Sequence, residues 1–269
     1  MTRADAVAAL FVKACRAELD ALKPGNVHRF EAGHGMSVQD FETSAEVSAP
    51  LLCAKGAGVG ARILAAVSAT RQAVGQNTNL GILLICAPLA KAAERPGGPL
   101  RTHLQAVLAD MSPQDAEDTF RAIALAAPGG LGAAPEGDVR KPPQIGLLAA
   151  MRLAADRDLI ARQYANGFAE IFEIGVPLAG GQPMEKAAQQ VFLAFATATP
   201  DSHVARKFGE AAAIDLMHRF RALAGAPQEA LAAFDRTLKA QGLNPGTSAD
   251  MTVASLFAAA LDEKASEPR

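Results

Sequence analysis

Four short polar segments hold the residues of this chain that could do chemistry. They are Lys23-Pro24-Gly25-Asn26-Val27, Gln76-Asn77-Thr78-Asn79-Leu80-Gly81, Pro200-Asp201-Ser202-His203 with Arg206-Lys207 behind it, and Asn244-Pro245-Gly246-Thr247-Ser248-Ala249-Asp250. Each sets turn formers against a helix end, and the first turn of a helix presents unpaired N–H groups that suit phosphate oxygens. With Lys and Arg beside several such ends, the pattern points to a pocket for a polyanionic nucleotide. Any one segment alone would be ordinary turn chemistry.

Each residue also has a plainer reading. Asp250 can cap its own helix, which leaves room for a second role. Thr247, Ser248 and the backbone after Pro245-Gly246 can bind phosphate or ribose hydroxyls. Lys23 is either a solvated cation complementing a helix dipole or a phosphate contact. Arg206 and Lys207 lie about one turn after Asp201, so surface pairing or anion binding would serve, with pairing the safer reading for one of them. Glu18 falls on an otherwise apolar stripe, where a carboxylate is costly unless it is partnered or used. His34, between Gly33 and Gly35, is the best candidate for a mobile acid/base. No histidine pair has the spacing of a helix-borne zinc site.

The elements that must position these groups are helical. Among 269 residues half are hydrophobic but only 5% aromatic, with no Trp. Ala supplies much of the apolar content, and Ala favours helix because it loses no side-chain entropy there. Val7, Phe11, Cys15, Glu18 and Leu22 recur on one face of a first helix over residues 4–22. Ser37 with Asp40, and Ser112-Pro113 with Asp115, are helix starts of capping-box type. Further helices are expected over 38–49, 51–74, 80–93 (with a kink or stop at Pro88), 147–174, 185–197, 201–224 and 227–241. Thr247 should cap the last, 248–262, with Asp250 completing a second capping box. The stretch from Pro128 to Pro143, which includes Glu136 and Asp138, is the longest non-helical segment. The expected architecture is all-α: a single domain over residues 1–264, about ten helices, with a frayed tail at 265–269.

A formal charge of −2 and a pI near 6.2 argue against broad capture of nucleic acid. Cys15, Cys53 and Cys86 are too scattered for a disulfide framework or zinc site, and Cys15 and Cys86, in apolar helical runs, read as buried thiols. No signal-peptide core follows Met1, and the apolar run Leu80 to Leu89 is too short to span a bilayer. A cytoplasmic protein without membrane or nucleic-acid partners is expected; a homodimer is open.

Taken in order, these segments resemble the triphosphoribosyl-dephospho-CoA synthase family. That family carries a Glu before a K-P-G loop, an N-T-x-x-G segment, a D-T or D-S element, and a C-terminal N-P-G-x-S/T-A-D. Here they are Glu18 with Lys23-Pro24-Gly25, Asn77-Thr78 with Gly81, Asp201-Ser202, and Asn244 to Asp250. The last segment is fairly specific; the others gain force from order and spacing. The resemblance implies an all-helical transferase joining ATP to 3′-dephospho-CoA with loss of adenine. The acceptor 2′-hydroxyl would attack the anomeric carbon of the ATP ribose. That needs a base, negative charge near an oxocarbenium-like centre and help for the leaving adenine. Glu18, Asp201 and Asp250 are the candidates for these roles, or, for the aspartates, for holding Mg²⁺ on the triphosphate. Lys23, Gly25, Asn26, Arg206 and Lys207 would line the phosphates. Asn77, Thr78, Asn244, Gly246, Thr247 and Ser248 would orient ribose or phosphate.

The chain departs from the pattern where N-T-H-K-G becomes Asn77-Thr78-Asn79-Leu80-Gly81, K-P-G-L-V-D becomes Lys23 to His28, and D-T-N becomes Asp201-Ser202-His203. These departures resemble a divergent archaeal and methylotroph branch, which implies a changed acceptor or donor in one-carbon, methanopterin-type cofactor synthesis. A third reading is a non-catalytic helical subunit that binds a partner through its surface.

Overall fold

The computed structural model describes residues 2–129 and 138–266. Glu136 and the last three residues of the tail expected to fray lie outside them. Among the described residues the chain forms fourteen α-helices, one π-helical turn and no strand; two isolated bridges, His28 with Glu31 and Gly33 with Met36, pinch the loop before the second helix. Among the described residues no helix is long and apolar enough to cross a membrane.

The helices are α1 Arg3–Asp20, α2 Val38–Leu52, α3 Val59–Val74, α4 Leu80–Ala92, α5 Leu100–Ala109, α6 Pro113–Ala126, α7 Leu147–Ala154 and α8 Leu159–Asn166. After the π-turn Ile171–Gly175 come α9 Val176–Ala179, α10 Met184–Ala198, α11 Ser202–Phe208, α12 Glu210–Ala222, α13 Gln228–Ala240 and α14 Gly246–Ser266. The capping boxes at Ser37–Asp40 and Ser112–Asp115 form as expected, and Thr2–Asp5 makes another at the start of α1. Such a cap is worth about 1 kcal/mol.

α14 is the axis of the molecule. Val253, Ala254, Leu256, Phe257 and Ala258 are inaccessible to solvent, as are Thr252 and Ser255, so the helix is buried around its circumference, and α1, α4 and α10 pack on it. Phe11 of α1 meets Phe257 edge to face, with ring centroids 5.7 Å apart. Burying such a ring contributes about 1.5–3 kcal/mol. A smaller apolar cluster gathers Phe192, Val204, Leu216, Phe220 and Leu238 under the second half of the chain. The two clusters flank the start of α14, and that is where the polar segments meet.

Several expected boundaries move. The 147–174 helix is broken into α7, α8 and the π-turn, because Asp158 accepts from the N–H groups of Ile160 and Ala161 and starts a fresh helix. The 201–224 helix divides at Gly209, whose φ of +91° lies outside the helical region. α3 begins at Val59, after Gly56 and Gly58, and α5 forms over residues read as unassigned. These two breaks, with α5 and α9 as additions, turn about ten helices into fourteen. Pro88 does not end α4, which continues to Ala92. Its missing N–H would have bonded the carbonyl of Leu84, and the hydroxyl of Tyr164 donates to that carbonyl instead, at 2.6 Å. Asp250 makes no capping box, since α14 starts at Gly246 and places it in the second turn.

Candidate active site

Lys23 is wholly buried, and all three of its ammonium hydrogens have protein acceptors. It donates to Glu18, to Asn26 Oδ1 at 2.7 Å and to the Val27 carbonyl at 2.7 Å. Asn26 in turn donates from Nδ2 to Asn244 Oδ1 at 2.8 Å. A hydrogen-bonded line therefore runs from α1 through the Lys23-Pro24-Gly25 turn to the turn before α14. Burial pushes the Glu18 carboxyl up and the Lys23 ammonium down, while their mutual attraction opposes both shifts. The expected phosphate contact at Lys23 is replaced here by an internal ion pair. Lys23 takes only Oε1 of Glu18, and Oε2 has no hydrogen-bond partner among the described residues.

The Gly25 N–H is held by a residue that the motifs did not single out. Asp235 Oδ1 accepts it at 2.8 Å, and Oδ2 lies 3.2 Å from His28 Nε2 and 3.0 Å from Lys239 Nζ. Burial raises the Asp235 pKa, but the hydrogen bonds from His28, Lys239 and Gly25 outweigh it and hold the group below the usual carboxylate range. The i,i+4 pair Asp235 and Lys239 was visible in the sequence; its target 210 residues away was not.

Asp201 caps two helices at once. Oδ1 accepts from the N–H groups of His203 and Val204 in α11, and Oδ2 accepts from the N–H and hydroxyl of Ser248 in α14, at 2.8 and 2.9 Å. Burial still raises its pKa against these bonds. Ser202 donates its hydroxyl to Thr247 Oγ1 at 3.1 Å, and the His203 N–H donates to the same oxygen. Both carboxylate oxygens of Asp201 are thus committed, which makes it the organiser of the α14 start instead of an open metal ligand. Burial and the nearby Arg206 and Lys207 charges bring the His203 imidazole down to about 4, so it is neutral at physiological pH.

Asp250 differs from the other two acids. It is only partly buried, and it has no ion pair or hydrogen bond among the described residues. Its carboxylate lies against Gly81 in the first turn of α4, leaving no room there for a side chain. Desolvation, and then the charges of Asp201 and Glu18, push its pKa well above the usual carboxylate value. The α4 turn is pinned from α2: Ser44 Oγ shares a 2.6 Å hydrogen bond with Thr78 Oγ1, and Asn79 Nδ2 reaches Ser48 Oγ at 3.4 Å. Asn77 Oδ1 accepts from the Leu80 N–H at 3.1 Å. A narrow crevice with about 10 Å³ of free volume is lined by Cys15, Glu18, Phe41, Ala45 and Asn79 among others.

The segments from the four corners of the sequence therefore converge around the start of α14. Some expected members are engaged elsewhere. Arg206 pairs with Asp158 at 2.8 Å, a partner 48 residues away and not the local i,i+4-type partner expected, while Lys207 is exposed. His34 Nε2 lies 2.7 Å from the Gly25 carbonyl, which turns its ring toward the Lys23-Pro24-Gly25 turn. No cluster of three metal-ligating side chains occurs among the described residues. Mg²⁺ commonly takes one or two protein carboxylates and completes its shell with phosphates and water. Asp250 and the open oxygen of Glu18 fit that pattern; Asp201 does not.

An all-helical protein with acids and helix starts gathered around the beginning of one central helix is the class this geometry defines. The profile of the CitG family, ATP:dephospho-CoA triphosphoribosyl transferase, matches residues 4–269, and the chain belongs to that family. It is a transferase of the triphosphoribosyl-dephospho-CoA synthase type. The fold is similar to the crystal structure of an Archaeoglobus fulgidus protein provisionally assigned as such a synthase. The TM-score is 0.71 at 24% identity, covering 83% of this chain and 98% of that one. No curated protein sequence matches the chain.

Proposed function

We propose that ATP binds at the crevice between α1, α2 and the start of α4, on the side where Asp250 of α14 lies against Gly81, and that an acceptor hydroxyl attacks its anomeric carbon there. The new C–O bond forms as the C1′–N9 bond breaks; the electron pair leaves with adenine, which is protonated as it departs. Asp250 takes the hydroxyl proton. The observation that carries this assignment is a partly exposed carboxylate with no hydrogen-bond partner and a pKa pushed well above its usual value. Such a group is a stronger base than an ordinary aspartate and is not spent on structure. Glu18, one oxygen open, supplies negative charge to the oxocarbenium-like centre, as carboxylates do in glycoside cleavage. Asn77, Thr78 and Thr247 orient ribose or phosphate. Mg²⁺, held by Asp250 or Glu18 and by the phosphates, would neutralise the triphosphate.

Incubation with ATP and dephospho-CoA should release free adenine and give a product with the added triphosphoribosyl mass. No adenine with this or any other nucleotide acceptor would overturn the reading.

One observation favours a changed acceptor. Leu80 stands where the resembled motif has Lys, and it is buried in the core, so this position brings no charge to the α4 turn. An acceptor such as a pterin-type precursor in one-carbon metabolism would then replace dephospho-CoA. Thermal-shift screening would show ATP protection, with adenine release only when the pterin precursor is supplied.

A further inference from the structure

A second small cleft lies on the other side of Asn79, lined by Val67, Thr70, Arg71, Gln76, Asn77, Asn79 and Ala126. Asn79 lines both this cleft and the one beside Glu18, so the two are neighbours across a single side chain. We infer that this second cleft, with Arg71 and the first turn of α4, binds the triphosphate chain of ATP.

Three observations meet here. Arg71 is exposed, and among the described residues its guanidinium has neither a carboxylate nor a hydrogen-bond partner. Most other arginines beside the helix ends are paired, Arg62 with Glu94 and Arg206 with Asp158 among them. Thr70 is 3% exposed, and its Oγ1 is a buried hydroxyl without any partner, at a position lining the cleft. An unmatched buried hydroxyl costs free energy that a ligand oxygen would recover. Finally, α4 is a thirteen-residue helix whose N-cap, Asn79, makes no capping bond. Its Leu80 N–H is taken by Asn77, while the N–H groups that follow have no side-chain cap. Arginine and helix-start N–H groups are both donors that match phosphate oxygens.

The arrangement also has the right polarity for the reaction. Anionic phosphates lie beside Arg71 and the α4 start, and the sugar carbon reaches Glu18 and Asp250 past Asn79. The inference rests on the transferase reading for the identity of its ligand, but its site can be tested without turnover.

Inorganic tripolyphosphate is the probe. It should bind the intact protein in calorimetry and compete with ATP. Arg71→Ala should weaken tripolyphosphate binding and raise the KM for ATP by about tenfold or more, leaving the KM for the acceptor unchanged. Arg71→Lys should recover part of the loss, as a point charge without the planar fork. Thr70→Val, close in shape, should weaken tripolyphosphate binding by a smaller factor. If wild-type protein binds tripolyphosphate and Arg71→Ala binds it equally well, the inference is wrong. A lowered melting temperature with unchanged binding would show that Arg71 only complements the C-terminal dipole of α3, and would equally overturn it. Absence of adenine release from the wild type would defeat the transferase reading alone, since tripolyphosphate binding and its loss in Arg71→Ala are read separately.

Discussion

Gly81 and Asp250 compete for the same space: a Cβ at Gly81 would stand 2.0 Å from Asp250 Oδ2. The first turn of α4 is thus shaped around the carboxylate that the reaction needs. Gly81→Ala adds a better helix former, worth about 0.5–1 kcal/mol, but displaces Asp250. Misplacing a reacting group by an ångström can cost about a hundredfold in rate. The variant should therefore lose most of its kcat while its melting temperature changes little. Full activity in Gly81→Ala would show that the position of Asp250 is immaterial.

Asp250 is expected to cost stability at neutral pH. Its folded-state pKa is raised, so the folded protein binds this proton more tightly than the unfolded chain does. The group adds nothing adverse below the ordinary carboxylate value; its destabilising effect grows as pH rises from there and is complete once pH has passed the folded value. Asp250→Asn should accordingly raise the melting temperature at pH 8 and not at pH 3.5, while abolishing adenine release. A loss of stability at pH 8 would contradict the assignment of an unsatisfied, partly buried charge.

Glu18 and Lys23 form a pair that is safer removed together than singly. Glu18→Gln leaves the Lys23 ammonium buried beside a neutral amide, and breaking such a pair costs about 3–5 kcal/mol. Combining it with Lys23→Met should return much of that stability in urea titrations, because the stranded charge is gone. Activity should stay lost in both, since the open oxygen of Glu18 is gone. A double variant no more stable than Glu18→Gln would refute the pairing.

Asp201 should behave as architecture. Asp201→Ala removes acceptors from the starts of α11 and α14 together, and two lost caps cost about 2 kcal/mol or more. Ser248→Ala removes only one hydroxyl and should cost distinctly less. Chemical denaturation of both variants measures the difference; equal costs would mean that Asp201 caps α11 alone.

Much of the helical framework was legible because its signals are local. The capping boxes at Ser37–Asp40 and Ser112–Asp115, the apolar stripe of α1 and the four polar turns are written within a few residues each. The same locality misled where a helical pattern continues across a break. Asp158 and Gly209 each interrupt a stretch of helix formers, and nothing in the neighbouring composition forces the choice. The helix does not stop at Pro88 for the opposite reason, since Tyr164, distant in sequence, donates to the Leu84 carbonyl that proline cannot bond.

By itself the sequence determined an all-α chain and the set of polar segments that meet at one cleft, because residue type and spacing decide where helices start and which faces are apolar. Tertiary structure decided what each charged group does once it is there. Lys23 and Asp201 were drawn inward and saturated by Glu18, Asn26 and Ser248, whereas Asp250 was left open against Gly81. Whether an ionisable side chain is consumed or kept available depends on acceptors and donors brought from far along the chain, and on how much water the packed helices exclude.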